Sequence, residues 1–160
     1  MFIRRAEEKD AGAVTRLLEQ VLEHHAAIRP DIFIPGTTKY TREQLAAIFA
    51  DDSRPVYVAE DADGRVLGHA FCMLREPPES NVLIPRRILY VDDLCVDETA
   101  RGKHVGSALF EHVKKEALRL GCYEVTLNVW EGNDSALAFY RNKGMWPKEY
   151  QMELILDQSE

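Results

Sequence analysis

The amino-acid sequence predicts an α/β (α+β) three-layer sandwich, built as one domain over residues 1–160 with the element order βααβββαβαβ. Three observations carry this. Segments with apolar residues at helical spacing and segments with strand-like runs are interleaved from end to end. Gly, Pro and Asp–Gly punctuation separates them. The length of 160 residues suits one core, and 46% hydrophobic with 29% charged residues is an ordinary globular balance.

Phe2 to Arg4 opens the chain as a short strand. Asp10 begins a helix in which Val14, Leu17, Leu18, Val21 and Leu22 form one apolar stripe, fading near His24 and His25. Pro30 and Pro35-Gly36 mark a long loop. Thr41 with Gln44 is a capping-box pattern, and Leu45, Ile48 and Phe49 give the second helix an apolar face. Pro55 to Ala59 is β-rich, Asp63-Gly64 reads as a hairpin turn, and Val66 to Leu74 is the returning strand. After a loop from Arg75 to Pro85, Arg87 to Val96 is a long, largely apolar strand. The next helix runs from about Val105 to Leu120 with Leu109, Phe110, Val113 and Ala117 on one face, and Gly121 ends it. Tyr123 to Val129 is a strand, and Asn133-Asp134-Ser135 opens a helix that Gly144 closes. Tyr150, Met152, Leu154 and Leu156 alternate with polar residues, which predicts a half-exposed last strand.

Charge narrows the function classes. Twenty Lys and Arg against 27 Asp and Glu give a net charge of −7, which argues against broad binding to a nucleic-acid backbone. An acidic surface draws cationic partners such as amines, and it also serves plain solubility. No apolar run approaches the ~20 residues that span a membrane, and no signal-peptide segment opens the chain. Cys72, Cys95 and Cys122 are odd in number and lack CxxC spacing, so a cytoplasmic, reducing setting is expected. His24, His25, His69 and His112 have no metal-ligand spacing, and no metal is expected.

The most informative stretch joins a strand to a helix: Arg101, Gly102, Lys103, His104, Val105, Gly106 and Ser107. N–H groups at a helix start lack internal partners and the helix dipole adds positive potential. Two glycines allow close approach, and Arg101 and Lys103 add charge. The spacing alone admits two readings, a pyrophosphate site or a Gly-containing turn with solvated basic residues. Neither the Walker pattern nor GxGxxG is present.

Arg101-Gly102-Lys103-His104-Val105-Gly106 resembles the Arg/Gln-x-x-Gly-x-Gly/Ala signature of the GNAT superfamily of N-acetyltransferases. Asn133-Asp134-Ser135-Ala136-Leu137-Ala138-Phe139-Tyr140 with Gly144 is similar to that family's second pattern, Asn-x-x-Ala-x-x-x-Tyr-x-x-x-Gly. The resemblance implies an acyl-CoA N-acyltransferase fold around a central mixed, mostly antiparallel sheet. It implies acetyl-CoA as co-substrate, with its pyrophosphate held over residues 101–107. His104 departs from the signature, which has Gly there. A helix-start N–H donates from any residue with φ near −65°, so His fits if no close Cβ contact results.

The chemistry then sets requirements. An alkyl ammonium has a pKa of ~10.4, so freeing its lone pair at pH 7 costs roughly 4–5 kcal/mol, and a base must take the proton. Asp92 and Asp93 lie on the strand ahead of the signature and point to opposite faces. Resemblance to the polyamine acetyltransferase branch implies Asp92 as base and Asp93 as a substrate-binding or structural acid. The alternative is that both face solvent or form salt bridges. The leaving thiolate needs a proton donor, and Tyr140 matches the family's general acid, against the alternative of a packed aromatic.

The resemblance further implies that Leu94, Cys95 and Val96 pair with the cofactor's pantetheine arm through a strand edge splayed from the next strand. Asn133 would bond that arm, beside or instead of a helix N-cap. Residues 22–40 correspond to the family's variable acceptor side. His24, Phe33 and Asn128 join Asp92 and Asp93 as substrate-binding candidates, with Glu23, Asp31 and Tyr40 in the same segment. The expectation is direct acetyl transfer to a primary amine in a ternary complex, although Cys95 keeps a covalent route formally open. A non-catalytic acyl-CoA-binding module on the same fold is the alternative. A homodimer is a family expectation only, with no nucleic-acid or membrane partner.

Overall fold

Residues 1–156 are described by the structure, a computed structural model, and they belong to two units, Met1–Asn128 and Val129–Glu160. In the first unit, strand β1 (Phe2–Arg5) leads through a 3-10 turn (Glu8–Asp10) into helix α1 (Ala11–Ile28). Helix α2 (Arg42–Phe49) follows, then strands β2 (Val56–Glu60), β3 (Val66–Arg75) and β4 (Ile88–Val96). Helix α3 (Val105–Arg119) and strand β5 (Glu124–Leu127) complete it.

The sheet order is β1-β2-β3-β4-β5. The first three pairings are antiparallel and β4–β5 is parallel, so the sheet is mixed and mostly antiparallel, as expected. Alternation along β2 distributes the core. Val56 and Val58 pack with Val14, Leu17 and Leu18 of α1 and Leu45, Ile48 and Phe49 of α2. Tyr57 and Ala59 pack with Val105, Leu109, Val113 and Ala117 of α3. Two helices on one face and one on the other make the three layers.

Several local readings hold in detail. The Thr41–Gln44 capping box forms with both reciprocal bonds, at 3.2 and 2.8 Å. At the β2–β3 turn, Gly64 takes φ 82° while Asp61 accepts from the Asp63 and Arg65 N–H groups. Helix α1 runs past His24 and His25 to Ile28, because Ala26 is buried and the stop comes only ahead of Pro30.

Three boundaries differ from expectation. Asp10 ends a 3-10 turn and precedes α1, rather than starting the helix. Strand β5 covers Glu124–Leu127 and stops short of the expected Val129. In the second unit, helix α4 (Asp134–Asn142) is followed by Gly144 at φ 86°, but the expected last strand is absent among the described residues. Tyr150, Met152 and Leu154 are each more than four-fifths exposed, at 81%, 86% and 84%. Alternation describes a strand only where a neighbouring strand supplies a hydrogen-bond ladder, and no ladder forms on residues 145–156.

Candidate active site

The two acidic residues of β4 sit at a β-bulge. Phe71 of β3 pairs with Asp93 and the next residue, Cys72, pairs with Val91, so Asp92 is the extra residue. The bulge reverses the facing of the strand. Leu89 and Val91 pack with α3, whereas Cys95 packs with α1 and α2. The β4–β5 ladder ends at Val91 and Leu127, which leaves the β5 side of β4 without a paired strand from Asp92 to Val96 among the described residues. Leu94, Cys95 and Val96 therefore lie on a strand edge that has separated from β5, and β3 pairs only their other side.

Each carboxylate has one partner that the sequence did not disclose. Lys39, from the α1–α2 loop, places Nζ 2.9 Å from Asp92 Oδ2. Burial works to lower the Lys39 pKa, but the Asp92 hydrogen bond and the charges of Asp92 and Asp93 outweigh it and raise the pKa. Asp93 is buried and its Oδ2 lies 2.7 Å from Nε2 of the fully buried His69. Burial pushes the Asp93 carboxyl up, yet the His69 hydrogen bond and the Lys39 charge hold it below the ordinary carboxylate value. With Asp93 ionised, Nε2 carries the His69 proton, and Nδ1 has no hydrogen-bond partner among the described residues.

Around this pair, Phe71 meets His69 edge-on at 5.0 Å between centroids, and Tyr40 stacks on Phe71 at 6.0 Å. His25 packs on Phe33, at 5.2 Å between ring centroids. Burial lowers the His25 pKa against the pull of Asp93. His24 is exposed on the same helix. Glu23 Oε1 accepts from the Gly36 N–H, Asp31 pairs with Arg29 at 2.7 Å, and Asn128 donates to the Tyr90 hydroxyl at 3.3 Å. Cys95 is buried, its Sγ lies 3.4 Å from the Leu17 carbonyl oxygen, and burial pushes its thiol up to about 12. A thiol held protonated is a poor nucleophile, so the geometry gives the covalent route no support.

The loop into α3 has an unusual backbone. Gly102 and His104 have φ 76° and 61°, and His104 is the non-glycine residue of positive φ among the described residues. The expectation of φ near −65° for His104 is thus corrected. The position requires the left-handed region, which is where a glycine is at ease and a Cβ is strained by roughly 1–2 kcal/mol. The first helical hydrogen bond of α3 runs from the Ala108 N–H to the His104 carbonyl at 3.0 Å, and Val105, Gly106 and Ser107 precede it. Arg101 and Lys103 are exposed at this end. Gly68 of β3 lets α3 and β4 close in. A Cβ there would stand 2.7 Å from the Cys95 carbonyl oxygen, 3.1 Å from Leu109 Cδ1 and 3.3 Å from Val105 Cγ1.

In the second unit, Asn133 caps α4: its Oδ1 accepts from the Ala136 N–H at 3.3 Å. Tyr140 is half-buried on that helix and its ring meets Phe139 at 5.1 Å. The N-cap reading of Asn133 is therefore realised.

Sequence reasoning missed Lys39, His25, His69 and Gly68. A histidine inside the apolar run Val66 to Leu74 was a signal, since a buried imidazole needs a polar partner. The partner itself depends on strand register, which one strand alone does not carry.

A mixed sheet between helical layers, with a bulged fourth strand leaving its neighbour ahead of a glycine-containing helix start, defines the α/β class of the protein. Residues 18–145 match the Acetyltransferase (GNAT) family, and the chain belongs to that family. It is 35% identical over 114 residues to glucosamine 6-phosphate N-acetyltransferase 1 of Oryza sativa subsp. japonica, covering 70% of this chain and 64% of the rice protein. It is 26% identical over 154 residues to the thialysine N-epsilon-acetyltransferase of Bos taurus, covering 90% and 83%. Among solved structures, a mutant of the BH1408 protein from Bacillus halodurans superposes with TM-score 0.93 at 32% identity, covering 98% of this chain and 99% of that one.

Proposed function

We propose that residues 1–160 act as one N-acetyltransferase domain, moving the acetyl group of acetyl-CoA to the primary amine of a small molecule by direct attack in a ternary complex. The observation that carries this is the β4 edge from Asp92 to Val96, unpaired on its β5 side and running into the α3 N-terminus. The backbone groups of Leu94, Cys95 and Val96, which have no ladder partner on the β5 side, suit the amide-bearing pantetheine arm. The α3 start, with Arg101 and Lys103, suits the pyrophosphate, and Asn133 and Ala136 are read as further cofactor contacts. The relatives named for glucosamine 6-phosphate and thialysine support an amine acceptor.

Acetyl-CoA supplies the acetyl group as a thioester with a thiolate leaving group. Asp92 takes the proton that the acceptor ammonium must lose, directly or through water, and Asp93, held by His69, is the substrate-binding or structural acid beside it. The new N–C bond forms as the C–S bond breaks, and Tyr140 donates its hydroxyl proton to the departing sulfur. His24, Phe33 and Asn128 remain acceptor-side candidates, to which His25 is added. A cytoplasmic setting and a homodimer complete the reading. The unpaired cysteines support the first, and no described helix is long and apolar enough to cross a membrane.

The test is thiol release from acetyl-CoA with a panel of amines. Tyr140→Phe should lower kcat about a hundredfold with acetyl-CoA affinity retained. Asp92→Asn should be slow at neutral pH and recover at high pH, where the amine deprotonates unaided. Unchanged turnover in Tyr140→Phe would remove the general acid. Binding of acetyl-CoA without transfer to any amine would leave a non-catalytic module.

A further inference from the structure

We propose that the acceptor carries an anionic group, a carboxylate or a phosphate, close to its amine, and that Lys39 is the residue that selects it. This rests on the reading of Asp92 and Asp93 as the acceptor-side carboxylates. The argument starts from what already occupies Asp92. The Lys39 ammonium is 2.9 Å from its Oδ2, the place an acceptor ammonium would take. Lys39 is held there by well-anchored neighbours. Its Nζ lies 5.4 Å from the Tyr40 ring, Tyr40 stacks on Phe71 in the sheet, and Thr41 begins the α2 capping box.

What Lys39 pairs with once displaced decides which acceptor fits. Asp92 and Lys39 pair with each other, Asp93 is held by the His69 hydrogen bond, and Arg29 is engaged by Asp31. An amine with no anion displaces Lys39 from Asp92 and leaves the Lys39 ammonium without a carboxylate at hydrogen-bond distance. An acceptor that carries both charges exchanges one ion pair for two, with its ammonium on Asp92 and its anion on Lys39. The side chain of Lys39 is 42% exposed, so it has room to swing from Asp92 to a ligand without opening the core.

The experiment uses the full chain with saturating acetyl-CoA and matched acceptors, with and without the anion: amino acids against their decarboxylated amines, and 2-aminoethyl phosphate against 2-aminoethanol. The anion-bearing member of at least one pair should have a kcat/KM about tenfold or more above its partner. Lys39→Met should bring that ratio to about twofold or less, mainly through KM, and Lys39→Arg should retain most of it. A wild-type preference for the anion-free amines overturns the proposal, as does a ratio that survives Lys39→Met. Thiol release to anion-free amines alone overturns only this inference. Bound acetyl-CoA with no release to any acceptor overturns the acetyl-transfer reading beneath it.

Discussion

Replacing His69 tests the most buried polar feature of the protein. The imidazole is 0% exposed and donates to an Asp93 side chain that is 8% exposed, at 2.7 Å. His69→Leu fills much of the volume and removes the donor. An ionised Asp93 then stays buried without its main hydrogen bond, and breaking a buried pair from one side costs about 3–5 kcal/mol. At roughly 2–4 °C per kcal/mol for a chain of this size, the melting temperature at pH 7 should fall by about 6–20 °C. The sign with pH follows from Asp93, whose carboxyl His69 helps hold below its ordinary value. Its contribution is present above the ordinary carboxylate range and is lost as pH falls through the folded-state value. The difference between wild type and His69→Leu should therefore narrow on acidification. His69→Gln, which keeps an N–H donor near the Nε2 position, should recover a large part of the loss. Thermal unfolding at pH 4 to 8 reads all three. A His69→Leu protein as stable as wild type at pH 7, or a deficit that does not change with pH, would refute the ion-holding role of His69.

Other consequences follow from single residues. Gly68→Ala places a Cβ 2.7 Å from a backbone oxygen of β4, so the strand must shift. The cost should be about 1–3 kcal/mol with a raised KM for acetyl-CoA, and an unchanged melting temperature would contradict it. His104→Gly removes a Cβ from a backbone at φ 61° and should raise the melting temperature by up to about 2–4 °C, after the flexibility cost of glycine is deducted. Buried Asp10 accepts from Arg4 at 2.7 and 2.9 Å and from the Glu7 N–H at 2.8 Å. Burial raises its carboxyl pKa, but these bonds outweigh that and lower it, so Asp10→Asn should destabilise by about 2–3 kcal/mol near neutral pH and by less in acid, measured by denaturant unfolding.

Much of the fold was legible because helix and strand periodicities are local. The stripe Val14, Leu17 and Leu18 is buried as its spacing requires, and Thr41–Gln44 caps α2 through bonds that two residues four positions apart or fewer can make alone. The last strand was misread for the complementary reason. Tyr150, Met152 and Leu154 carry the alternation, but a ladder partner is not local information. His104 was placed on its expected side of the helix start, yet its φ is fixed by how the turn from Arg101 must close, and His lacks the glycine that would have announced it.

The acidic pair marks the limit of the sequence most clearly. From a strict period of two, Asp92 and Asp93 point to opposite faces, and nothing in the sequence says which partners each meets. Register with β3 inserts Asp92 as a bulge, which moves Asp93 and Cys95 to the α1 face while Leu89 and Val91 stay on the α3 face. That shift explains why a carboxylate in an apolar strand is tolerated. It puts Asp93, which pairs with Phe71, on the same face as His69, a residue 24 positions earlier that pairs with Cys95, so that the two side chains meet diagonally. It also leaves Asp92 at the separation from β5, where the half-exposed Lys39 reaches it. One inserted residue thus divides two chemically identical side chains into a fixed, buried charge and an exchangeable one. Under the proposed mechanism the exchangeable one is the carboxylate that can take a proton, because its partner can be displaced.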